Sequence, residues 1–224
     1  MAKIGKLHRG LAMASWLAML SPMAPCLAQT SSEPSAKQAA RILATSVCER
    51  CHGAGGRSRD PSVPILAAQQ QSYIEGQLRA YRAKSRRDPE AHAYMEGIRY
   101  YSVDQINRGD VSDSAGLLND EIMTGLASYF SSQAPAPGKP GDSAALAEGK
   151  RIYEKGSPPR GIPACAGCHG VDAEGFSATP RLAGQHAQYL VSQMQMLRVP
   201  AMHGVVRKLG DSEMTAVASY LQSR

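Results

Sequence analysis

The chain has 224 residues, 43% of them hydrophobic, which allows one large globular domain or two small ones and is ordinary for a soluble protein. Its net charge of +6 includes Lys3, Lys6 and Arg9, which lie in a segment expected to be removed. The remaining 22 basic and 19 acidic residues leave too little positive charge to point to a nucleic-acid partner.

In chain order, the first element is that leader. The three basic residues precede the apolar run "LAMASWLAML" (11–20) and a stretch ending "APCLAQT", the order of charge and hydrophobicity of a signal peptide spanning 1–28. The run is shorter than the roughly 20 apolar residues of a membrane helix, so an exported protein, placed in the periplasm and without a transmembrane segment, is expected. Cys26 raises lipid anchoring as an alternative, against which Pro25 argues. Losing the leader leaves four of the five cysteines, arranged in two pairs.

The first pair lies in "VCERCHG" (47–53). A helical pattern follows in "VPILAAQQQSYIEGQLRAYR" (63–82), and a last helix opens on Leu-x-Asp in "LNDEIMTGLASYF" (118–130). The segment "SSQAPAPGKPGDS" (131–143) reads as an exposed connector. The series then repeats: "ACAGCHG" (164–170), "TPRLAGQHAQYLVSQMQMLR" (179–198) and "LGDSEMTAVASYL" (209–221). Pro64 aligns with Pro180, Gln69 with Gln185, Tyr73 with Tyr189 and Arg82 with Arg198. An all-α duplication is expected, with domains at 29–132 and 144–224 joined by a linker at 133–143. Domains this small bury little surface and call for an internal staple.

Positions i, i+3 and i+4 share a helical face, so Cys48, Cys51 and His52 can address one object together, as can Cys165, Cys168 and His169. In covalent haem attachment the two thiols form thioethers to the porphyrin and the imidazole binds iron. Three rivals stand beside this reading. Structural zinc would need a fourth ligand for each separated pair. A redox dithiol expects a βαβ setting, and a plain disulfide leaves both histidines without a role. If the iron carries electrons it takes a sixth ligand, often Met. Met95 and Met202 follow the long helix of each copy, with His92 and His203 as rivals, whereas Met123, Met194, Met196 and Met214 read as packing residues and His186 as a surface or structural one.

With CxxCHG, the "PRLAGQHAQYLVSQM" run, a later Met and the final helix, each half resembles class I cytochrome c, and the pair resembles the di-haem cytochromes of the c-four type. The resemblance implies two tandem cytochrome c-like domains, each wrapped around one covalently attached haem c, in a pseudo-twofold arrangement with the haems near the domain interface. It makes Cys48, Cys51, Cys165 and Cys168 the attachment points and His52 and His169 the proximal ligands. Met202 becomes a distal ligand, with Met95 by analogy. It also implies that the Pro64 and Pro180 carbonyls accept from the proximal imidazoles, and that Arg82 and Arg198 reach haem propionates or are ordinary solvated arginines.

The implied function is single-electron transfer between respiratory redox partners, including a membrane-bound oxidase or dehydrogenase. The alternatives are a subunit of such a complex, or a di-haem peroxidase with one open iron. Residues 136–224 carry 10 basic and 7 acidic groups, so the second half is the more suited to an acidic partner. The first copy departs from the second in one respect. Met95 stands 23 positions before Leu118 but Met202 only 7 before Leu209, and the segment 96–117 accounts for the difference.

Overall fold

The computed structural model describes residues 36–86, Met95, 119–198 and 204–224; the leader with Cys26, His92, the 96–117 segment, Met202 and His203 lie outside the described residues. Glu33–Arg224 form one compact unit. Among the described residues there is no strand, only two isolated bridges, Ser157 with Ile162 and Phe176 with Thr179.

The first repeat begins with α1 (Ala36–Leu43), which runs through a single π-helical stretch, Ala44–Cys48, into the short α2 (Glu49–His52). The first CxxCH motif is thus carried directly on the end of a longer helical segment, with the wider π turn falling on its first cysteine. After a loop come α3 (Gln71–Arg82) and, beyond the 96–117 segment, α4 (Asp120–Ser131). The Asn119 side chain accepts from the Ile122 N–H at 2.8 Å and caps α4, as the Leu-x-Asp signal anticipates. Along α4, Ile122, Met123, Leu126, Ala127 and Phe130 form one buried stripe.

The second repeat has α5 (Ser143–Lys155), α6 (Ala166–His169), α7 (Ala187–Leu197) and α8 (Asp211–Gln222). Asp142 caps α5 by accepting from Ala144 and Ala145 N–H at 3.0 and 2.9 Å. Here the CxxCH turn does not continue the first helix. Gly156 and Gly161, both at positive φ, and a 3-10 turn at Pro158–Arg160 separate α5 from α6.

In each repeat the first helix crosses the last one, α1 on α4 and α5 on α8, and the third helix packs on the same partner. Both crossings are close, and they are made close by opposite residues. In the first repeat Gly125 of α4 faces the Ala40 side chain; in the second Gly149 of α5 faces the Ala216 backbone. Each crossing has room for one Cβ, and the two repeats place the glycine on different helices. The hydrophobic residues accordingly form two separate cores, one from Ala39 to Phe130 and one from Ile152 to Leu221. Met123 and Met214 are fully buried in them, and Met194 packs against the second, which agrees with their reading as packing residues.

The connector between the repeats is largely exposed but not loose. The Arg57 guanidinium donates to the Ala134 carbonyl at 2.7 Å, and the Lys139 N–H donates to the Gln222 carbonyl at 2.9 Å.

Candidate haem-attachment sites

Each CxxCH turn is terminated by a glycine. Gly53 and Gly170 have φ of +74° and +83°, a region that a side chain at either position would resist, and the chain reverses there. In the first repeat the Gly56 carbonyl then accepts from Leu66 and Ala67 N–H at 2.8 and 3.2 Å; in the second, the Ala173 carbonyl accepts from Leu182 and Ala183 at 2.8 and 3.0 Å. These bonds fold the following loop back under the histidine. The Nδ1–H of His52 donates to the Pro64 carbonyl at 2.9 Å, and that of His169 to the Pro180 carbonyl at 3.1 Å. A donating Nδ1 leaves the Nε2 lone pair of each imidazole for a metal and fixes the plane of the ring.

The cysteines divide in the same way in both repeats. Cys48 and Cys165 are half-buried against their cores, whereas Cys51 and Cys168 are exposed. Burial pushes the Cys48 thiol up to about 12 and raises that of Cys165. Burial lowers His52, partly offset by its bond to Pro64, so its imidazole is held neutral, the form that binds metal. Among the described residues no three or more His, Cys, Asp and Glu side chains are grouped to hold a metal ion, and none of the four cysteines is in a disulfide. Two unbridged thiols and one histidine ring oriented through Nδ1, all on a single turn, are donors of the kind that covalent haem attachment uses, and among the described residues they do not assemble a four-ligand zinc site.

The other candidates fall as follows. Met95 is helical and half-buried. Arg82 and Arg198 each pair at 2.8 Å with an aspartate at the start of the last helix, Asp120 and Asp211 respectively. Arg79 joins the first pair at 2.6 Å. These arginines therefore tie the third helix to the fourth in each repeat. His186 is 1% exposed and its Nε2 donates to the Ser58 carbonyl at 3.0 Å, a structural role reaching into the other repeat. A cavity of about 690 Å³ lies beside Cys51, lined also by Arg50, Gly53, Ala54, Arg57, Arg59 and Asp60, so basic side chains surround the exposed edge of the first motif.

The sequence left Gln69 and Gln185 without a role. Both are 6% exposed and reach across to the opposite repeat. The signal that could have found them is their recurrence at one position of both copies, next to apolar residues, where a buried amide must find partners. Gln70 follows the same pattern, donating to the Glu174 carbonyl at 2.8 Å just as His186 donates to Ser58. Further along the interface Arg86, on which burial acts alongside Tyr189, Tyr81 and Tyr73, donates to the Tyr189 hydroxyl at 3.2 Å, to Gln193 at 3.1 Å and to Gln77.

Known proteins share this plan. The family model described as Cytochrome c matches residues 146–224. Cytochrome c-552 of Acidithiobacillus ferridurans is 36% identical over 196 residues, which cover 84% of this chain and 78% of that protein. The solved structure of cytochrome c4 from Acidithiobacillus ferrooxidans superposes with a TM-score of 0.65 at 34% identity, covering 80% of this chain and 99% of that one. A protein of Thiomonas intermedia named thiosulfate dehydrogenase electron acceptor is 32% identical over 190 residues, 79% of this chain and 78% of its own.

Proposed function

The chain belongs to the cytochrome c4 family of di-haem c-type cytochromes, and we propose that it works in the periplasm, carrying single electrons between a donor and an acceptor of a respiratory chain. The observation that supports this reading is the twin motif in which both histidines donate from Nδ1 to a proline carbonyl, the tautomer that makes Nε2 the ligating nitrogen. Bound haem supplies a one-electron iron couple, Fe(III) to Fe(II). The protein's own part is to hold the ligands still, so that little rearrangement accompanies the change of charge.

In this reading Cys48, Cys51, Cys165 and Cys168 hold the two haems, His52 and His169 are the proximal ligands, Pro64 and Pro180 set the ring planes, and Met95 and Met202 are the distal ligands. Residues 1–28 are the export signal. Residues 29–132 and 144–224 are the two domains, a division supported by their separate hydrophobic cores. Among the described residues no helix is long and apolar enough to cross a membrane. The Thiomonas relative favours one kind of donor, a dehydrogenase that passes electrons to this chain as a partner protein or bound subunit.

Visible and near-infrared spectra of the native protein and of Met95→Ala and Met202→Ala test the ligand set. Each variant should lose half of the ferric Met-to-iron charge-transfer absorption, and both together all of it. Absorption unchanged in Met95→Ala would move the first distal ligand elsewhere. Co-purification with an exported dehydrogenase would separate the bound subunit from the free shuttle.

A further inference from the structure

The peptide group between Pro64 and Ile65 has two ends, and different repeats hold them. Its carbonyl accepts from His52 at 2.9 Å, within the first repeat. Its N–H, on Ile65, donates to Oε1 of Gln185 at 2.9 Å, in the second. The same amide returns a bond from Nε2 to the Ile65 carbonyl at 3.0 Å, so Ile65 is gripped at both of its backbone groups. The mirror arrangement is present. The Pro180–Arg181 peptide accepts from His169 at 3.1 Å, and the Arg181 N–H donates to Oε1 of Gln69 at 2.7 Å, with Nε2 of Gln69 donating to the Arg181 carbonyl at 2.9 Å. Each Oε1 also takes the N–H of the residue after it, Gln70 at 2.9 Å and His186 at 3.0 Å, which locks the side chain.

We infer that Gln69 and Gln185 are positioning residues that tune the iron of the opposite repeat, each acting through the proline peptide that holds the other repeat's proximal histidine. The inference rests on His52 and His169 being the proximal ligands. An amide whose N–H is engaged by a good acceptor has a more electron-rich carbonyl, because hydrogen bonds in a chain polarise one another, and burial of both glutamines strengthens the effect. A stronger acceptor at Nδ1 makes the imidazole a better donor at Nε2, which favours ferric over ferrous iron. The crossing of the chain is the distinctive part. Gln185 acts on the first haem and Gln69 on the second, so each redox centre senses how the other repeat is seated against it.

The test uses the full-length, haem-loaded protein with Gln185→Leu and Gln69→Leu. Two quantities are read by NMR: the Nδ1–H resonances of His52 and His169 in the reduced protein, and each haem's own reduction potential, followed through its methyl resonances. Gln185→Leu should move the His52 Nδ1–H upfield and raise the potential of the first haem, leaving the second where it was; Gln69→Leu should do the reverse. Gln70→Leu, at the same interface but off the proline peptide, should move neither.

Because a leucine variant can fail to load haem, Gln185→Glu and Gln69→Glu keep an acceptor at the same reach and should leave the opposite haem at or below its native potential. Shifts confined to the haem of the substituted repeat, equal shifts in both, or none in either would overturn the crossed assignment. Native imidazole signals at 52 or 169 without the haem ring-current shift would overturn the ligand reading beneath it.

Discussion

At the scale of single residues, the contacts that define this molecule are made by side chains whose partners lie far away in sequence. His186 is the clearest case. Its burial and the nearby Lys139 lower its pKa, against the opposing pull of the Ser58 carbonyl and Asp60. In the unfolded chain it titrates at about 6.5. A histidine held neutral contributes its stability in full above that value and loses it as pH falls through the folded pKa, because the unfolded state binds the extra proton. Acid destabilisation beginning below about pH 6.5 should therefore be weaker in His186→Gln, which installs the residue type that the first repeat uses at the aligned position, Gln70. Denaturant midpoints at several pH values measure this; an unchanged slope would remove His186 from the account. Recurrence of the cysteines and histidines makes a haem-attachment reading legible in sequence, because that chemistry demands those residue types at that spacing, and the family resemblance adds the two prolines. The roles of Gln69 and Gln185 were not legible, since a glutamine is specified only by partners that the fold brings to it.

Between elements, the helix crossings depend on one missing methyl group each. A Cβ at Gly149 would run into the Ala216 backbone, which cannot turn aside, so Gly149→Ala should destabilise the second repeat by about 1–3 kcal/mol. At Gly125 the obstacle is the Ala40 methyl. Gly125→Ala should be destabilising alone and largely rescued by Ala40→Gly, which copies the arrangement of the other repeat; thermal unfolding of the two variants decides it. The ion pairs joining third and fourth helices are exposed and contribute modestly. Arg79 and Arg82 hold Asp120 below its ordinary carboxylate range. Its contribution is present above about pH 3.9, the unfolded value, and is lost as pH falls through the lower folded one. Asp120→Asn should thus lower stability at neutral pH and flatten its fall in acid, read from acid-unfolding curves. Sequence periodicity located α3, α4, α7 and α8, because a one-sided apolar stripe is a local property. The break between α5 and the second CxxCH turn is also written locally, in Gly156, Pro158, Pro159 and Gly161, which have no counterpart in the stretch leading to Cys48.

Across the described residues of the whole molecule, two separate hydrophobic cores are joined by a seam of largely buried polar side chains. Gln69, Gln70, Gln185 and His186 supply reciprocal bonds across it, to Arg181, Glu174, Ile65 and Ser58, related by the same alignment that relates the two motifs. Leaving the buried members, Gln69, Gln185 and His186, without partners costs about 1–3 kcal/mol each, so the two repeats are expected to unfold together. Replacing all four side chains with alanine should uncouple them and turn one calorimetric transition into two. A single unaltered transition would mean that the cores are coupled by something else. The connector adds to the seam through Arg57 and Lys139, which accounts for a Pro- and Gly-rich segment that is exposed yet tied down.

The sequence by itself determined the cofactor class, the duplication and the all-helical elements, because these follow from residue type, spacing and recurrence, while the resemblance to class I cytochrome c implied the proline carbonyl partner of each CxxCH histidine. The tertiary structure alone decided that Arg82 and Arg198 bind the last helix, that His186 is an internal donor, and that each histidine's proline is held by a glutamine of the other copy. The arginine pairs form inside each repeat once its third and fourth helices pack, whereas the glutamine and His186 contacts join residues more than a hundred positions apart, which only the seating of one repeat on the other brings within reach.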